Sequence, residues 1–280
     1  MERLQAAIEK ARAQREGAVA PQPARAPGGL EPARAPAAAS LDEVWGALRE
    51  LAGGGILPAG ASDLVSAAPG AHTAPYDMLR TRVIQQAQAN GWKRIAVVSP
   101  APGSGKTTTL ANLAFSLARQ GDYRTTVLDF DLRRVTLARM LAQKVEHTMA
   151  DVLEGRVPFA EHGLRHGLNL AFGLNSEPVA APAELLQSQR ARQTLAEIEA
   201  IYQPDFVLCD VPPLLAADDS HGFLKNVDCA LIVVAAEETP MSQIDVAERQ
   251  VAELTQVMGV VLNKCRMADN AYYSYDYAGY

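Results

Sequence analysis

The residues most able to do chemistry lie in the stretch SPAPGSGKTTT, positions 99–109. Gly103 and Gly105 let backbone N–H groups turn inward with no Cβ in the way, while Pro102, Ser104 and Thr108 complete the loop. Lys106 supplies a cation and Thr107 a hydroxyl. Glycines, a lysine and a hydroxyl before a helix form a cradle for the phosphates of a nucleotide and for Mg²⁺. The pattern is relaxed: in G-x-x-x-x-G-K-[ST] the first glycine would fall on Pro100. Two acidic strand ends accompany it. VLDFDLRR (127–134) carries Asp129 and Asp131 two residues apart, and FVLCDVPP (206–213) carries Asp210. Strand residues two apart point to one side, so Asp129 and Asp131 address one site. Asp210 is placed as a Walker B carboxylate, which holds Mg²⁺ or its water.

These groups need a scaffold that brings strand ends together. Apolar runs at 94–99, 124–130, 168–173, 205–211, 229–236 and 258–263 read as buried strands. Helical patterns at 106–121, 182–202, 219–226 and 241–256 fall between them, with short helices in VTLARMLAQ and TMADVLEG. This alternation predicts an α/β fold with a mostly parallel sheet and helices on both faces. Ligands in such folds sit at the carboxyl ends of the strands. The order of the strands is not legible.

The N-terminal part reads differently. MERLQAAIEKARAQRE (1–16) predicts an amphipathic helix, with Leu4, Ile8 and Ala11 on one stripe. Residues 17–73 read as an Ala/Pro/Gly-rich flexible linker with a short helix near 41–52, opened by the Ser40/Glu43 capping box. The folded domain is expected over 74–268 and a flexible tail over 269–280. Five of the eight tyrosines fall in the last nine residues: Tyr272, Tyr273, Tyr275, Tyr277 and Tyr280. With no helical or strand period, they read as hydroxyls on a leash, able to reach an active site.

A net charge of −6 argues against a general nucleic-acid binder. Cys209, Cys229 and Cys265 sit in or at the end of apolar runs without metal-ligand spacing and read as buried, reduced thiols, fitting a cytoplasmic protein. Gly163 and Gly167 interrupt any helix that would pair His162 with His166 on a metal. No apolar run approaches the 18 residues of a membrane span, and no secretory leader is visible.

Together, SPAPGSGKTT, VLDFDLRR, FVLCDVPP, ALIVVAAEET, GVVLNKC and the tyrosine cluster resemble the bacterial tyrosine kinases of capsular and exopolysaccharide export. The resemblance runs from about Tyr76 to Tyr280. EPVAAPAELLQS, with Glu184, Leu185 and Leu186, is similar to that family's Pro-rich entry into a helix, and the first 15 residues resemble the start of its soluble members. The resemblance implies a P-loop NTPase-like fold. It implies that Lys106 and Thr107 hold ATP phosphates and Mg²⁺, that Asp129 is the general base, and that Asp131 and Asp210 organise Mg²⁺. Arg133 follows as part of the second Walker motif, and Asn263 would contact adenine. The tail tyrosines would be phosphorylated in trans by a neighbouring subunit. Implied partners are a membrane polysaccharide co-polymerase, which recruits the chain to the inner face of the cell membrane, and a phosphotyrosine phosphatase.

The chain departs from the family at its subunit-contact motif, E-x-x-R-x-x-R. In APYDMLR (74–80) Ala74 replaces the Glu, Asp77 replaces the first Arg, and Arg80 remains. Val135 stands where a Pro usually follows the arginine pair. Two other readings compete. One is a partition- or septum-site-type switch ATPase, whose signature lysine would occupy the position of Ala101. The other is an ATP-binding scaffold of the polysaccharide machine with weak kinase turnover.

Overall fold

The computed structural model describes residues 39–52, 64, 66, 73–216 and 219–265. The expected helix over 1–16 and the five tail tyrosines lie outside the described residues. The elements are α1 (Leu41–Gly46), β1 (Arg49–Glu50), α2 (Ala74–Asn90), β2 (Arg94–Val98), α3 (Lys106–Gln120), β3 (Thr125–Asp129), α4 (Thr136–Met140), α5 (Met149–Leu153) and α6 (Phe159–His162). They continue with β4 (Leu164–His166), β5 (Leu170–Gly173), α7 (Pro182–Gln187), α8 (Gln189–Tyr202), β6 (Phe206–Asp210), α9 (Asp219–Leu224), β7 (Cys229–Ala235), α10 (Met241–Leu254) and β8 (Gln256–Asn263).

The strands form one sheet in the order β1-β4-β5-β3-β6-β2-β7-β8, with every pair parallel except β4–β5. Period-two alternation sorts the buried side chains between the two faces. Ala96, Val98, Val207, Cys209, Ile232 and Val234 join one core with Trp45, Leu195 and Ile198. Ile95, Val97, Leu208, Leu231 and Val233 join the other with Leu110, Leu113 and Leu117 of α3. Strands covered on both faces are the reason their sequences read as continuous apolar runs.

The strand order decides where the site falls. β3 and β5 lie to one side of β2, and β7 and β8 to the other, with β6 inserted between β3 and β2. The connections therefore diverge around β2, and a crevice opens beyond the carboxyl ends of β2, β3 and β6.

Several boundaries differ from the sequence reading. The folded body does not begin at Ala74. The Ser40/Glu43 capping box forms as expected, with Ser40 N–H donating to Glu43 at 2.6 Å. The helix it opens ends at Gly46, and the chain turns into β1, which pairs with β4. Trp45 is fully buried and donates its indole N–H to the Tyr202 carbonyl at 2.7 Å. Its ring meets that of Tyr202 edge-on, with centroids 6.1 Å apart. Leu48, Leu51, Leu64 and Ser66 are also buried. The helix expected over 182–202 breaks at Ser188, which is extended and caps α8 by accepting from the Ala191 N–H at 3.0 Å. A serine hydroxyl that bonds nearby backbone favours such a start over a helix interior. Cys209 and Cys229 are buried as expected, but Cys265 is exposed just beyond β8. No helix among the described residues is long and apolar enough to cross a membrane.

Candidate nucleotide and phosphotransfer site

The loop after β2 delivers the phosphate cradle. Gly105 is the N-cap of α3 and has φ 82°. A Cβ there would collide with the side-chain amide of Asn263, so both conformation and space require glycine. Asn263 ends β8 and donates from Nδ2 to the Ser104 carbonyl at 3.0 Å, bracing the loop from the far side. The expected adenine-contacting residue is thus in the loop's immediate shell. A crevice of about 270 Å³ is lined by the loop residues Pro102 to Thr108 and by Asp131, Arg134, Thr136, Met140 and Pro213.

Below the loop, four charges converge. The Lys106 ammonium pairs with Asp210 and lies 3.8 Å from Asp131. Thr107 Oγ1 donates to the other oxygen of Asp210 at 2.7 Å. Lys106, Thr107, Asp129, Asp131 and Asp210 are each 8% exposed or less, so their charges act on one another with little water between. Asp129 and Asp210 are register partners on adjacent parallel strands. Two carboxylates on neighbouring strands, out of water, resist double ionisation. Burial, and then the charge of Asp210, push the Asp129 carboxyl well above the usual range. Burial also raises Asp131, opposed by Lys106. One Asp129 oxygen accepts the Asp131 N–H at 3.2 Å, and the other, Oδ2, is buried with no partner among the described residues.

This donor set fits Mg²⁺. Three carboxylates face a single ammonium, so the cluster is short of positive charge, and every free donor is a hard oxygen. Among the described residues no three His, Cys, Asp or Glu form a ready metal cage. Mg²⁺ commonly needs none, since one or two carboxylates, a hydroxyl and substrate phosphates suffice.

Arg133 stands apart from this cluster. It is half exposed and makes a two-pronged ion pair with Asp219 at the start of α9, one prong being 3.0 Å. Asp219 is fully buried, so the pair ties the loop after β3 to α9. Asp219 and Asn175 escaped the sequence reading. Asn175 Nδ2 donates to the Asp129 carbonyl at 2.9 Å and Oδ1 accepts the Met149 N–H at 2.9 Å. Its position two residues past β5, at the same edge of the sheet, was the available signal.

The altered contact motif lies on α2. Asp77 pairs with Arg80 and with Arg119 of α3, and accepts from the Ser116 hydroxyl. Burial opposes ionisation of Asp77, but Ser116 and Arg119 outweigh it and hold the carboxyl below its usual value. Arg80 also donates to the Ser116 carbonyl at 3.0 Å. The one remaining arginine of the motif is therefore engaged within its own chain.

A phosphate loop opening a helix, with acidic ends on the adjacent strands of a parallel sheet, defines a P-loop NTPase. The ParA family model, described as the NUBPL iron-transfer P-loop NTPase, matches residues 92–273. The kinase domain of Escherichia coli tyrosine kinase ETK superposes with a TM-score of 0.64 at 24% identity, covering 73% of this chain and 80% of that one. Tyrosine-protein kinase CpsD of Streptococcus pneumoniae serotype 4 is 30% identical over 201 residues, 70% of this chain and 86% of CpsD. Tyrosine-protein kinase YwqD of Bacillus subtilis is 27% identical over 202 residues, 71% of this chain and 84% of YwqD. Within the P-loop NTPases, the chain belongs to the bacterial tyrosine-kinase family.

Proposed function

We propose that this chain is an ATP-dependent protein-tyrosine autokinase that phosphorylates its C-terminal tyrosine cluster in trans and thereby regulates capsule or exopolysaccharide polymerisation and export. The observation that carries the reading is Asp129: a buried carboxyl of raised proton affinity, with one unpartnered oxygen, beside the lysine of the phosphate loop.

The chemistry follows from these groups. A phenol has a pKa of about 10 and is nearly all protonated at neutral pH. Its oxygen attacks the γ-phosphorus of ATP as the bond to the ADP oxygen breaks, and Asp129 takes the phenolic proton. Raised proton affinity brings Asp129 closer to the phenol and makes it a better base once it is ionised. Lys106 exchanges Asp210 for the β/γ-phosphates, and the loop N–H groups hold the phosphate oxygens. Thr107, Asp131 and Asp210 would hold Mg²⁺, which would supply positive charge against the phosphates. Arg133 fixes the loop that carries Asp131 through Asp219, and Asn263, which braces the phosphate loop, is assigned the adenine contact.

A membrane polysaccharide co-polymerase supplies an activating cytoplasmic segment and holds the chain at the inner face of the membrane, and a phosphotyrosine phosphatase resets the tail. A second reading, an ATP-binding scaffold of weak turnover, is favoured by the engagement of Arg80 within its own chain. The match to the ParA model suits a switch ATPase, but Ala101 stands at the position of that group's signature lysine.

Transfer in trans is the test. Wild-type chain is mixed with Mg-ATP and a size-tagged full chain carrying Lys106→Met. Phosphotyrosine on the tagged chain supports the kinase; release of free phosphate alone supports the switch ATPase; tight ATP binding with neither supports the scaffold.

A further inference from the structure

A second cavity, of about 330 Å³, lies beside the nucleotide crevice, and its walls include Ala138, Arg139, Lys144, Asn175 and Ser176. α4 separates the two spaces. Thr136 and Met140, four residues apart, line the crevice. Val135, Ala138 and Arg139, at spacings of three and four, line the cavity. Asn175 forms part of the wall and donates to the Asp129 carbonyl at 2.9 Å, which ties the cavity wall to the strand end that carries the base.

The lining of the cavity includes two cations, Arg139 and Lys144, and no acid. Arg139 and Lys144 are exposed, and neither has an ion pair among the described residues. Arg134 adds a third cation on the crevice side. Two acids adjoin the lining in sequence: Glu146 lines a different pocket with Arg49 and His147, and Glu177 follows Ser176 without lining the cavity. Arg133, by contrast, is neutralised by Asp219.

The tyrosine-bearing segment has the complementary charge. Residues 267–280 contain Asp269 and Asp276 and no Lys or Arg. Asp269 precedes Tyr272 by three residues, and Asp276 follows Tyr273 by three. Three extended residues span about 10 Å, the breadth of a helix with its side chains. The reach from each of these tyrosines to its aspartate thus matches the breadth of a helix such as α4.

We infer that the cavity behind α4 is an acceptor-specificity site. Arg139 and Lys144 hold the aspartate of an acidic tyrosine-bearing segment from a second copy of this chain, while the tyrosine three residues away reaches Asp129. The inference rests on the kinase reading above and names its substrate class. Each transferred phosphate adds about −1.5 to −2 charges, so a tail phosphorylated once is held more firmly for the next transfer.

Two assays on full-length protein test it. In the first, a labelled peptide of residues 267–280 is titrated into wild-type chain and into an Arg139→Glu/Lys144→Glu chain, each with Mg-ADP. The expected result is binding weakened about tenfold or more by the charge reversal, the scale of a few exposed charge contacts inverted in sign. A peptide carrying Asp269→Lys and Asp276→Lys is expected to prefer the reversed chain, with nucleotide affinity the same in both. In the second, the Lys106→Met chain is the acceptor, and the reversal is expected to raise its KM while kcat holds. No peptide binding by wild-type chain, or equal binding by both chains, overturns the inference. Phosphate transfer with unchanged KM leaves the kinase and removes the docking site. Charge-dependent binding without any transfer leaves the docking site and removes the kinase.

Discussion

Lys106 and Asp210 form a buried ion pair beneath the phosphate loop, and Thr107 occupies the second oxygen of the same carboxylate. The loop's cation is thus stored on the residue that the proposed mechanism assigns to Mg²⁺. Removing one partner leaves the other charge buried and unpaired, which costs about 3–5 kcal/mol. Lys106→Met should lower unfolding stability on that scale and reduce phosphotransfer by about a thousandfold or more. Adding Asp210→Asn should recover much of the stability and none of the activity. Denaturant unfolding and phosphotyrosine formation, measured on wild type and these two variants, check both halves.

Burial, and then the charge of Asp210 on the neighbouring strand, disfavour ionised Asp129. Asp129→Asn should therefore hold or raise stability while phosphotransfer falls about 10²- to 10⁴-fold, the range of one general base. ATP affinity should change little. Full transfer by this variant would remove Asp129 from its assigned role.

His162 supplies a pH dependence away from the site. Burial lowers its pKa from 6.5 to about 4, opposed by the Leu174 backbone, and Nε2 has no partner among the described residues. The folded chain binds this proton less tightly than the unfolded chain does. Its contribution is fully present above about pH 6.5 and is lost as pH falls toward about 4, amounting to roughly 3 kcal/mol. Unfolding free energies of wild type and His162→Asn, measured across that interval, should converge as pH falls.

Trp45 anchors α1 on α8 through its ring and its indole N–H. Trp45→Ala should cost about 3–5 kcal/mol, or roughly 10 °C of melting temperature in a body of this size. A shift within 2 °C would show that residues 41–51 contribute little to the folded body.

What could be read in the sequence, and what could not, divides along physical lines. The loop at 99–109 and the acidic strand ends were legible because their spacing and flanking elements are local. So were the long strands, whose apolar runs follow from burial on both faces. Trp45 was hidden because its partner, Tyr202, is 157 residues away, and the Ala/Pro/Gly composition around α1 resembles a linker. β1 and β4, of two and three residues, are too short to show a period. The break at Ser188 sits within an otherwise helical pattern, visible only as a serine able to cap α8. The pairing of Arg133 with Asp219, and of Asp77 with Arg80 and Arg119, arises from tertiary packing, which the local motifs around Arg133 and Asp77 do not show.

The most direct measurement is a map of phosphotyrosine on purified full-length chain after incubation with Mg-ATP. It is made with and without the cytoplasmic segment of a membrane polysaccharide co-polymerase, the proposed activator, beside a Lys106→Met control. The account predicts phosphate on tyrosines within 272–280 that disappears in the control. Tight ATP binding with no phosphotyrosine under either condition would contradict it.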